Sequence, residues 1–169
     1  MDDAETLGVI APAAYAAAYH YLWSDCIVLA HQLDTFSKSA FLLLLQRADS
    51  RVWVAEIAGK IIGFLTMLIN SKNPITHDAS GAEISRIYLL PGIQRMGIGL
   101  QLLNVAQEHA NKLELTHMWL DVMESATAAR NAYCKWGFSE IGHKNFSRRV
   151  KADLSKMRVL SIKLNNKKT

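Results

Sequence analysis

Cysteine is nearly absent from this chain: there are two, Cys26 and Cys134, far apart in sequence. That is too few for a disulfide framework, and the pair reads as reduced thiols in a cytoplasmic protein. Proline occurs only at Pro12, Pro74 and Pro91. No apolar run is fit to span a membrane. The region from Ala13 to Ala30 is interrupted by His20, Ser24 and Asp25, and Phe41 to Leu45 is too short. A secretory leader is not expected either, because the N-terminus opens with Asp2, Asp3 and Glu5. The six histidines (His20, His31, His77, His109, His117, His143) show no metal-ligand spacing, so no metal is expected. A dense basic stripe, an RNA-binding aromatic motif and zinc-finger spacing are missing too, and no nucleic acid is expected as a partner.

What is present suits one domain over 1–169. Half of the 169 residues are apolar, enough for a core without staples, and no repeat or linker interrupts the chain. Net charge is 19 − 15 = +4, with the basic residues scattered and a small excess after Lys144. A polyanionic small cofactor would account for such a surplus.

Residues 1–11 are weakly patterned, with Gly8 to Ala11 a short edge strand at best. Pro12 fits the first turn of a helix running from Ala13 to Trp23. Asp34 or Thr35 caps a second helix through Arg47, with Phe36, Ala40, Phe41, Leu44 and Leu45 on one face. Arg51 to Ile57 and Ile61 to Ile69 are β-branched and aromatic runs joined by Ala58-Gly59-Lys60, a hairpin. Asn70 to Gly81 is a polar loop whose length makes it a candidate to face a substrate. Glu83 to Leu90 is the next strand, ended by Pro91-Gly92. A helix follows from Gly97, burying Ile98, Leu102, Leu103, Ala106, Ala110 and Leu113. Then come a strand (Met118 to Met123), a short helix (Ala126 to Trp136) closed by Gly137, and strands at Phe138 to Ile141 and Arg158 to Leu164. Asn165 to Thr169 is expected to fray. This order implies a mixed sheet with helices on both faces.

The stretch Gln94-Arg95-Met96-Gly97-Ile98-Gly99 lies where a strand hands over to a helix. Glycine lets main chain approach a ligand closely, and the first free N–H groups of a helix favour negative charge. An anion cradle and an ordinary strand–helix connection both fit that hexapeptide alone.

Its surroundings are more specific. Glu83-Ile84-Ser85-Arg86-Ile87-Tyr88-Leu89, the glycine loop, and Tyr133-Cys134-Lys135-Trp136-Gly137-Phe138 together resemble the GNAT superfamily of acyl-CoA-dependent N-acetyltransferases. The loop matches that superfamily's Q/R-x-x-G-x-G/A signature, and tyrosine, three residues, then Gly-Phe matches its C-terminal signature. The hairpin Val54 to Phe64 also looks typical, so the resemblance covers residues 50–142. Within the superfamily, Arg86-Ile87-Tyr88, Leu102-Leu103-Asn104, Trp119-Leu120 and His143-x-x-Phe146 look most like bacterial spermine/spermidine N-acetyltransferases. Two positions depart from the pattern. Ala126 stands where many members carry Asn, and the first strand is weak.

The resemblance implies an α/β (α+β) fold: a mixed, mostly antiparallel sheet with a splayed parallel strand pair. It implies acetyl-CoA as co-substrate and an amine as acceptor. Main-chain groups from Arg95 through Met96, Gly97, Ile98 and Gly99 to Leu100, preceded by Gln94, would hold the pyrophosphate, and the Arg95 side chain adds charge. The pantetheine arm would pair with the backbone of Ile87, Tyr88 and Leu89 like an added strand, opposite Trp119 to Val122. Lys135 is a candidate for the ribose phosphate. An ammonium has no lone pair, so a primary amine of pKa about 10 needs a base; the family position for a glutamate base is Glu83. The acid toward the departing thiolate falls on Tyr133.

Cys134 would suit an acyl-enzyme, but no histidine is placed by motif to activate it. A polyamine acceptor would draw on Glu83, Asp78, Asp121 and Glu124 with Trp53, Tyr88 and Trp119. Other small amines, a protein amine, an aminoacyl group on RNA and a non-catalytic acyl-CoA sensor stay open. A homodimer is compatible with the sequence.

Overall fold

The computed structural model describes residues 3–164. Asn165 to Thr169 lie outside them. The chain opens with three helices: α1 (Asp3–Tyr19), α2 (Cys26–Asp34) and α3 (Lys38–Gln46). A six-stranded sheet follows, with β1 (Ser50–Ile57), β2 (Lys60–Ile69), β3 (Ala82–Leu89), β4 (His117–Met123), β5 (Ser139–Asn145) and β6 (Lys156–Lys163). Helix α4 (Ile98–Lys112) connects β3 to β4, and α5 (Thr127–Lys135) connects β4 to β5. The spatial order is β1-β2-β3-β4-β6-β5. Only β3 and β4 run parallel.

The N-terminal strand expected at Gly8 to Ala11 is a correction. Those residues lie inside α1, and Pro12 sits within the helix instead of opening it. Ala4, Leu7, Ala11 and Ala14 recur at helical spacing and are buried. Proline lacks an N–H and so gives the Gly8 carbonyl no i+4 partner. Gly8 itself is where α1 meets α3: a Cβ there would stand 2.6 Å from the backbone nitrogen of Lys38. The helix expected from Asp34 or Thr35 to Arg47 is α3, which begins later, at Lys38, and α2 precedes it as a helix not expected from sequence. Asp25 caps α2 through the N–H of Ile27, at 2.7 Å. Ser37 caps α3 through the N–H of Ala40, at 3.2 Å. Each cap satisfies a helix-end donor that would otherwise have no partner.

Two cores flank the sheet. On one face, Leu102, Leu103, Ala106 and Ala110 of α4 pack on Leu65, Met67, Ile84, Met118 and Leu120. On the other, Leu7, Ala11 and Tyr15 of α1 pack with Phe36, Phe41 and Phe64. A bulge at Ser85 governs the allocation of β3. Thr66 pairs with Arg86 and Met67 with Ile84, so Ser85 is the extra residue. Ile84 and Ile87, three apart, therefore share the α4 face, and Tyr88 joins the α1 face.

Candidate active site

The β3–β4 ladder is short. Ala82 pairs with Met118 and Glu83 with Trp119, and the parallel pairing then stops. Beyond that point β3 keeps its partner on the other edge, where Leu65, Phe64 and Gly63 pair with Ile87, Tyr88 and Leu89. Strand β4 stays paired with β6 along its length. The two strands thus diverge and turn backbone edges toward a groove between them, an arrangement that can take an extended, amide-rich chain as an added strand.

The groove has three joined lobes. The first, about 670 Å³, includes Gln94, Arg95, Gly97 and Gly99 on one side and Ser125, Ala126, Thr127 and Trp136 on the other. Gly97 caps α4 with a left-handed φ of 79°, a conformation glycine adopts freely. Arg95 shares that hand at φ 69°. The Gln94 side chain accepts from the N–H of Gly92 at 3.0 Å and braces the turn. Gly99 is buried, and a Cβ there would meet the Trp136 ring at 3.2 Å. The helix N-terminus behind this loop offers free N–H donors to an anion.

The middle lobe, about 310 Å³, is lined by Ile87, Tyr88, Leu89, Gln94, Gly99 and Tyr133, with Ala14, Ala17 and Ala18 of α1 opposite. Burial pushes the Tyr133 phenol well above its ordinary value, helped by Tyr19 and the negative charge of Asp121. Tyr133 is thus a neutral hydrogen-bond donor at any physiological pH.

The third lobe, about 140 Å³, shares Tyr19 and Tyr88 with the second and adds Tyr15, Phe36, Arg86 and Asp121. Tyr15 and Tyr88 stack edge-on with ring centres 5.9 Å apart. Burial pushes the Tyr15 phenol up to about 12. Asp121 is ion-paired with Lys144.

Glu83 stands at the fork of the strands, half-buried. Ser71 Oγ donates to its Oε2 at 2.7 Å. Trp119 Nε1–H holds the Ser71 carbonyl at 3.2 Å. Burial raises the Glu83 pKa; the Ser71 hydrogen bond opposes that, and Asp121 adds to it. Glu83 and Tyr133, fifty residues apart in sequence, therefore both feel the charge of Asp121.

Of the residues expected from sequence, Ile87, Tyr88, Leu89, Gln94, Arg95, Gly97, Gly99 and Tyr133 line the first two lobes. Met96 and Ile98 instead line a separate cleft beside β1. Leu100 and Lys135 are not among the groove-lining residues. The polyamine set converges only in part: Tyr88 and Asp121 line the third lobe and Glu83 stands at the fork beside Trp119, whereas the other three are engaged elsewhere. Trp53 packs on His109 at 5.6 Å, Asp78 takes the N–H of Ser80 at 2.7 Å, and Glu124 pairs with Arg158. Sequence reasoning missed Tyr15, Tyr19 and the α1 alanines: they lie within the helix expected from Ala13 to Trp23, but which face of it meets the groove is set by tertiary packing. Among the described residues no three His, Cys, Asp or Glu side chains are placed to hold a metal ion. No helix there is long and apolar enough to cross a membrane.

Comparison with known proteins agrees with this geometry. The model of the acetyltransferase (GNAT) family matches residues 15–138, and the chain belongs to that family, the class of acetyl-CoA-dependent N-acetyltransferases. It is similar to an uncharacterized N-acetyltransferase of the pepI 3′ region of Lactobacillus delbrueckii subsp. lactis, 30% identical over 91 residues. That match covers 54% of this chain and 53%, about half, of the relative. An uncharacterized N-acetyltransferase of Mycobacterium bovis, Mb2688, is 25% identical over 86% of this chain and 89% of its own length. In fold the chain resembles the PaiA N-acetyltransferase of Thermoplasma acidophilum, solved with coenzyme A. The TM-score is 0.77 at 23% identity, over 96% of this chain and 93% of that one.

Proposed function

We propose that this protein transfers the acetyl group of acetyl-CoA directly to the primary amine of a small molecule. The observation that carries the reading is the continuity of the groove. It runs from the glycine cradle, past the diverging strands and Tyr133, into a lobe that holds Asp121. Acetyl-CoA supplies an activated acyl group and a thiolate leaving group. The N–H donors from Arg95 to Leu100 face its pyrophosphate, with Arg95 adding charge. The free backbone edge of Ile87, Tyr88 and Leu89 pairs with its amide-rich arm. Lys135 is exposed on α5, where it can reach a phosphate outside the groove.

The chain's own groups then manage protons. The incoming amine must be neutral to attack, and its proton passes to Glu83, in contact or across solvent, with Ser71 orienting the carboxylate. As the carbon–sulfur bond breaks, Tyr133 donates a hydrogen bond to the departing sulfur. A phenol held above its ordinary pKa gives up its proton reluctantly. Stabilising the thiolate is therefore its principal task, and the amine proton balances the charge.

A third lobe of about 140 Å³ suits a small amine and not a folded protein segment. A non-catalytic sensor would have no use for a donor at the sulfur position or for an oriented carboxylate at the fork. The test is CoA thiol release with amines of several classes: polyamines, amino acids, aminoglycosides and peptides. Release stimulated by a small amine supports the reading. CoA binding without release from any amine would leave the sensor reading instead.

A further inference from the structure

Arg86 lines the third lobe beside Asp121 and Tyr88. Its guanidinium lies 4.4 Å from the centre of the Phe36 ring and 6.0 Å from that of Phe41. Among the described residues no carboxylate pairs with it and no hydrogen bond engages its donors. Guanidinium stays protonated in proteins, so a half-buried cation here has stacking on one face and unused N–H donors at its edge. Burying a charge is costly unless it is paired and hydrogen-bonded, and a bound anion would supply both. The carboxylate that shares the lobe, Asp121, already has a cationic partner in Lys144. The two charged residues come from the two diverging strands, Arg86 from β3 and Asp121 from β4.

Building on the acetyl-transfer reading, we propose that the acceptor is a small amino carboxylate whose carboxylate is bound by Arg86. The planar fork of arginine matches a carboxylate with two parallel hydrogen bonds, and Phe36 fixes the plane in which they form. The ligand's amine then lies toward Asp121, whose charge both Tyr133 and Glu83 feel. A polyamine would bring positive charge against Arg86 and leave the guanidinium uncompensated. The small lobe sets the two groups of the ligand a few bonds apart.

The test compares kcat/KM for matched acceptors: amino acids and short ω-amino acids, their carboxamides, alkylamines and spermidine. The wild-type protein is expected to favour a carboxylate over its amide by roughly 10- to 100-fold, the range for one charge-assisted bidentate contact. Arg86→Gln is expected to abolish that preference by raising KM for the carboxylate acceptors, with a much smaller change for their carboxamides and for alkylamines. Arg86→Lys keeps the charge and recovers part of the preference. A readout without variants is inhibition of the wild type: short carboxylates lacking an amine should compete with the acceptor better than the matched alcohols. Preference for spermidine or for amides overturns the proposal, as does an equal loss on all acceptors in Arg86→Gln. Thiol release with none of these amines, while CoA still binds, overturns the transfer reading itself and this inference with it.

Discussion

In the proposed transfer, Tyr133 and Glu83 face opposite demands on a proton, and their surroundings meet each demand differently. Tyr133 must keep its proton until sulfur departs, and burial together with the negative field of Asp121 holds it there. Tyr133→Phe is expected to lower kcat roughly 10- to 100-fold, in keeping with the scale of general acid or oxyanion-type assistance. Acetyl-CoA affinity, measured by calorimetry, should stay within about twofold, since only the thiolate gains from the hydroxyl. Glu83 must be ionised to accept a proton, so turnover should fall as pH drops through its pKa, which burial has raised. Ser71 favours the carboxylate. Ser71→Ala should therefore raise that pKa and move the acidic limb of the pH–rate profile to higher pH. Asp121→Asn removes a neighbouring negative charge and should move it to lower pH. If both limbs stay where the wild-type limb lies, Glu83 is not the group that titrates.

At the scale of elements, the proposed transfer rests on the glycine loop and the strand fork. Gly97 caps α4 at a φ of 79°. An alanine there meets no neighbour within 4 Å, so its cost is backbone strain alone, about 1–2 kcal/mol in the left-handed region. If the loop relaxes to avoid that strain, its N–H groups turn from the anion. Gly97→Ala is expected to weaken CoA binding about tenfold with little change in kcat; an unaltered Kd would take the cradle away from this loop. The loop, the hairpin and the strand at Glu83 were legible in sequence because each is written locally, in turn glycines and apolar alternation. The splay was legible only through the resemblance, since its cause is where pairing stops, at Glu83 and Trp119. The N-terminal helix was legible only in its second half. Gly8 to Ala11 read as an edge strand and Pro12 as a helix opening, yet Gly8 serves a close crossing with α3, and the burial of Leu7, Ala11 and Tyr15 outweighs the propensity cost. Arg86 and Tyr15 share a lobe only after that helix is set against β3, so no local pattern announces them.

For the whole molecule, the two cores on either side of the sheet leave the groove as the seam between α1, β3, β4 and α5. A ligand bound across the seam ties these elements together. Acetyl-CoA at 100 times its Kd is expected to stabilise the fold by about 2.7 kcal/mol. For a chain of this size that is a rise in Tm of roughly 5–10 °C. The shift should be measured by thermal denaturation; no shift at saturating acetyl-CoA would mean that the folded chain does not bind it. Binding alone leaves the route of the acetyl group open. Cys134 is exposed and adjoins Tyr133 on α5, so a covalent route would leave its mark there. The decisive measurement is mass spectrometry of protein and amine together after single-turnover mixing with acetyl-CoA. Direct transfer puts acetyl on the amine and leaves the protein at unchanged mass throughout. An acetyl group appearing first on Cys134, and passing from there to the amine, would contradict it.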